Sequence, residues 1–67
     1  MSAADREVYM TARQVILHHG ASAAYLAAYM ADLLLNKGDL ASAAEWRRIA
    51  TAIEVLQAIE REDATRH

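Results

Sequence analysis

The sequence predicts an all-α fold, a three-helix up-down-up bundle packed as a homodimer, and three observations carry that expectation. The chain of 67 residues has no proline and only two glycines, and Gly20 and Gly38 cut it into three stretches of helical periodicity. Hydrophobic residues make up 55% of the chain, but sixteen of them are alanine, which favours helix and close helix approach while burying little area. The stretch 21–35 is apolar at every position except Ser22 and Asp32, a surface too extensive for one small neighbouring helix to cover.

The first helix is expected over 4–19. Ser2 can cap its free N–H groups, Asp5 lies three residues on, and Asp5 and Glu7 suit the positive end of the helix dipole. Val8, Tyr9, Ala12, Val15, Ile16 and His19 recur at helical spacing and form its inner face. Met10 and Leu17, one heptad apart, form a second apolar strip on the solvent side. Gly20 is placed to end the helix in a left-handed conformation.

The second helix is expected over 21–36, as the centre of the bundle. Ser22, Tyr25, Tyr29, Asp32 and Asn36 share one narrow strip, and the rest of the circumference is Ala, Leu or Met. The alanine pairs Ala24/Ala28 and Ala27/Ala31 allow close backbone approach. Gly38 then supplies a stop and Asp39 a cap, so that the third helix, over 40–62, folds back as a hairpin. A Ser42-x-x-Glu45 capping box is the alternative start. Trp46 is expected in the core beside the end of helix two, and residues 63–67 are expected to fray.

Residues 1–67 thus form one domain, close to the size at which a chain needs help to fold. There is no cysteine, which excludes disulfides and thiolate metal sites. The net charge of −2 is mixed along the chain, with six acids against four arginines after Gly38. Such a balance argues against capture of nucleic acid or an anionic membrane. The first residues lack a basic segment followed by an apolar core, and a cytoplasmic location is expected.

No constellation of catalytic or metal-binding residues stands out, so no catalytic, cofactor or metal site is expected. His18 and His19 are adjacent, hence about 100° apart on a helix and poorly placed to chelate one ion, and His67 lies in the tail. They read better as partners of the last carbonyls of helix one. Asp32, among Met30, Ala31, Leu33 and Leu34, either titrates abnormally through desolvation or lies solvated at the edge of the polar strip. The short turn at Gly38 followed by Trp46, Arg47 and Arg48 suggests a helix-turn-helix-like hairpin, and so a nucleic-acid-associated regulator, as the alternative function. Against it, the first turns of that helix read Leu-Ala-Ser-Ala-Ala-Glu, with no side chains suited to base edges.

The function expected first is a non-enzymatic interaction or oligomerisation module, with a homodimer as its main form and another protein as a further partner. The surplus apolar surface places the interface on helices two and three, at Leu26, Met30, Leu33, Ile49, Ile53 and Leu56.

Asp5-Arg6-Glu7-Val8-Tyr9, His19-Gly20, Ala31-Asp32-Leu33-Leu34, Gly38-Asp39, Trp46-Arg47-Arg48-Ile49, Ala52-Ile53-Glu54 and Leu56-Gln57 together give the chain a family likeness. Over residues 5–57 it resembles short uncharacterised helical proteins common in alphaproteobacterial genomes. The resemblance implies a bacterial cytoplasmic origin and a single α domain, and transfers no activity or site residue.

Overall fold

The computed structural model describes residues 3–65, all helical apart from the turn at Lys37–Asp39. Helix α1 spans Ala3–His19, α2 spans Ala23–Asn36 and α3 spans Leu40–Thr65. The Ser2 cap lies outside the described residues.

Three separate helices bundled around helix two are not what forms. Helices α1 and α2 are limbs of one bent helical run, joined by a single 3-10 turn over Gly20–Ser22. Gly20 does take the left-handed conformation, with φ 54°. The chain nevertheless re-enters helix at once, because the N–H of Ala23 donates to the Gly20 carbonyl and closes the tight turn. The same carbonyl accepts a hydrogen bond of 2.9 Å from Gln57 Nε2 on α3, which ties the bend to the opposing helix.

The centre is α3, which packs against both limbs while the limbs touch each other little. The physical reason is side-chain size. The buried stripe of α2 is Ala23, Ala27 and Ala31, one residue per turn. Those alanines bring its backbone close to α3 but fill no volume of their own. Leu26, Met30, Leu33 and Leu34 flank the stripe half-buried, and Tyr25 and Tyr29 face solvent.

The principal extents are 46 × 26 × 15 Å, with a Cα radius of gyration of 12.7 Å. A compact domain of this length would have a radius of about 11 Å. Helix α3 accounts for the elongation: it continues to Thr65, three residues past the expected end at Glu62. The tail expected to fray over 63–67 is therefore helical as far as it is described.

The turn between α2 and α3 has two interlocking backbone bonds. Gly38, at φ 83°, donates to the Leu35 carbonyl at 3.0 Å, and Asp39 donates to that of Leu34 at 2.9 Å. This is the Schellman arrangement, with Gly38 at C′. Asp39 Oδ1 then accepts from the Ser42 N–H at 3.1 Å, so Asp39 is the cap of α3, as its position after Gly38 suggests.

No atom lies within 4 Å of a Cβ built on Gly38. The cost of a side chain there is backbone strain alone. Gly38→Ala is expected to destabilise by about 1–2 kcal/mol in a urea titration. An unchanged midpoint would mean that the left-handed turn is not required.

The buried core is small. It consists of Ala12, Ala23, Ala27, Ala31, Ala43, Ile49, Ala52 and Ile53, of which only the two isoleucines are large. Val8, Tyr9, Val15, Ile16, Trp46 and Leu56 pack around it half-buried. Trp46 is in this outer layer, more exposed than its place on the inner face of α3 suggests.

Candidate functional site

The six interface candidates divide sharply. Ile49 and Ile53, at 2% and 0% exposure, belong to the chain's own core and offer nothing to a partner in this fold. Leu26, Met30 and Leu33 are half-buried on α2. Leu56, also half-buried, lines an open groove on the surface.

That groove lies between α1 and α3, with a cavity volume of about 590 Å³. The wall on α1 is Met10, Arg13, Gln14, Ile16 and Leu17; the wall on α3 is Leu56, Ile59 and Glu60. Met10, Leu17 and Ile59 are large, apolar and exposed at 61%, 74% and 51%. Ala12, midway along α1, turns to the core, so Met10 and Leu17 on the opposite side of that helix are turned away from it. Arg13, Gln14 and Glu60 supply the polar rim.

The sequence marks the Met10/Leu17 strip as apolar and solvent-facing. It gives no sign that Ile59, Glu60 and Arg13 share the same groove, because that depends on how α1 lies along α3. The pairing can be read from the two grooves between these helices. Asp5, Val8 and Tyr9 lie beside Arg47, Arg48, Thr51 and Ala52, while Arg13–Leu17 lie beside Leu56–Glu60. Helices α1 and α3 therefore run in the same direction.

The remaining candidates do not assemble into a chemical site. Asp32 is exposed on the strip with Tyr25, Tyr29 and Asn36, so it is not the desolvated carboxyl that a buried setting would create. His18 and His19 are exposed in the last turn of α1, and His67 lies outside the described residues. Among the described residues, no three His, Asp or Glu side chains converge as metal ligands.

Arg47 and Arg48 are exposed, but they flank a smaller groove of about 320 Å³ whose lining includes the acidic Asp5. A carboxylate in that position weakens the groove as an anion site. Among the described residues, no helix is long and apolar enough to cross a membrane.

No protein-family model, curated protein or solved structure matches this chain. The site must be read from its own geometry. An open apolar trough with a mixed-charge rim, and no convergent nucleophile or acid–base pair, can hold a side-chain ridge of another helix.

Proposed function

We propose that this chain is a small non-enzymatic interaction module of the oligomerisation type, acting through its own homodimer, with another protein as a further partner. The observation that carries the reading is the imbalance between core and surface. Among the described residues, Ile49 and Ile53 are the only large side chains that are buried, whereas Met10, Leu17 and Ile59 lie exposed around one groove.

A domain of this size buries a small fraction of its surface and usually gains stability from a staple or a partner. This sequence has no cysteine for a disulfide. Association would cover the apolar groove and add to the core in one step, stabilising the fold by mass action. The setting proposed is the bacterial cytoplasm, on the resemblance carried by residues 5–57.

Size exclusion with light scattering across the micromolar range tests the reading. The expected result is a species of twice the 7.4 kDa chain mass. A well-folded species of 7.4 kDa at every concentration would overturn self-association.

A further inference from the structure

Met10, Arg13, Gln14 and Leu17 all line the α1–α3 groove, and their spacing is i, i+3, i+4, i+7. Those are the four positions that frame a hole in knobs-into-holes helix packing. On the facing wall stands Ile59, apolar, β-branched and half-exposed, the kind of side chain that serves as a knob. It cannot enter the hole of its own chain, since it is part of the neighbouring wall. A second copy can supply it.

Symmetry then fixes the rest. Helices α1 and α3 run in the same direction along the groove, as the paired linings show. A two-fold axis running along the groove lays α1 of each copy parallel on α3 of the other, which stacks two helix pairs into a four-helix arrangement with a self-complementary interface.

The charges suit that arrangement. Arg13 lies on the α1 wall and Glu60 on the α3 wall, next to the knob. Among the described residues neither side chain has an ion-pair or hydrogen-bond partner, although both line one groove. The two-fold brings the Arg13 wall of one copy onto the Glu60 wall of the other, twice.

We propose that the α1–α3 groove seats a second copy of this chain, with each Ile59 entering the Met10–Arg13–Gln14–Leu17 hole of its partner and Glu60 meeting Arg13 across the interface. The proposal rests on the self-association reading above and names its surface, register and charge pairs. It moves the interface from α2 and α3, where the sequence places it, to α1 and the distal half of α3. A standard interface takes about 800 Å² from each partner. That is roughly a sixth of the 5085 Å² surface, which two exposed helix faces can supply.

Sedimentation equilibrium on the full chain and four variants tests it, with circular dichroism to confirm helicity. Ile59→Lys is expected to raise the dimer dissociation constant at least about tenfold by placing a charge in the hole. Arg13→Glu and Glu60→Arg are each expected to weaken the dimer several-fold, by setting like charges opposite each other. The double variant restores the opposite-charge pair and should return the constant to within about threefold of the parent.

Arg13 and Glu60 are exposed, so the charge exchange remains decisive even if Ile59→Lys loses helicity. A helical Ile59→Lys that dimerises as the parent does, or a double variant no tighter than the single ones, would overturn the groove and leave the module reading standing. A parent chain that is monomeric throughout would overturn both.

Discussion

Ile53→Ala is expected to be among the most damaging single substitutions in this protein, at about 2–5 kcal/mol. Ile53 is the largest fully buried side chain, at 0% exposure, and it lies in the cluster that joins α1, α2 and α3. Its neighbours there are Ala12, Ala23, Ala27, Ile49 and Ala52. Four of those five are alanines, which have no rotamer freedom with which to close a cavity. The lost methyl and methylene groups therefore leave a void that is poorly refilled, and the cost belongs in the upper part of the range.

Total stability for 67 residues is on the order of 3–10 kcal/mol. Each kcal/mol lowers the melting temperature of so small a domain by about 4–8 °C. Thermal melts followed by circular dichroism, at matched protein concentration because association contributes, should show a fall of at least about 10 °C. A fall of less than about 3 °C would mean that the enclosed centre lies elsewhere.

Local signals in the sequence proved the most legible. The Gly38-Asp39 stop and restart is set by bonds among residues 34–42, so residue type and spacing suffice to read it. Gly20 was half legible. Its left-handed conformation is a property of glycine, but the Gln57 bond that ties its carbonyl to α3 spans 37 residues and leaves no local signal.

The centre of the fold was misplaced for a different reason. Counting alanine as apolar makes helix two look buried on nearly every side. Burial area scales with side-chain size, and α2 contributes only alanines to the enclosed core. Ile49 and Ile53 were assigned to an interface because the sequence cannot divide an apolar surface between the chain's own core and a partner. The groove itself was legible on one wall, through Met10 and Leu17, and hidden on the other. Ile59 becomes its counterpart only once α1 lies parallel to α3.

Ala27→Leu is expected to destabilise by about 1–3 kcal/mol or more, although it raises hydrophobicity and keeps the helical pattern intact. Ala27 is fully buried in the same cluster as Ile53, on the stripe that lets α2 approach α3. Leucine's three extra carbons have no space at such a contact, so the helices must move apart or the side chain must leave its rotamer wells. Separation would spread beyond the site. Ala23 and Ala31 lie one turn away on either side, and they fill the helix gap only while it stays narrow.

Ala28→Leu is the control, since Ala28 is exposed one residue along the same helix. It should change stability by no more than about 0.5 kcal/mol. Urea titration of both variants against the parent distinguishes a fold closed by small residues from a loosely packed one. If Ala27→Leu proves stabilising, α2 and α3 have room between them, and the alanines at 23, 27 and 31 are not setting the spacing. If it destabilises while Ala28→Leu does not, the close approach of α2 is a requirement of this fold. The leucines flanking that stripe are then held at the surface by geometry, and an exposed apolar face is an unavoidable property of the single chain.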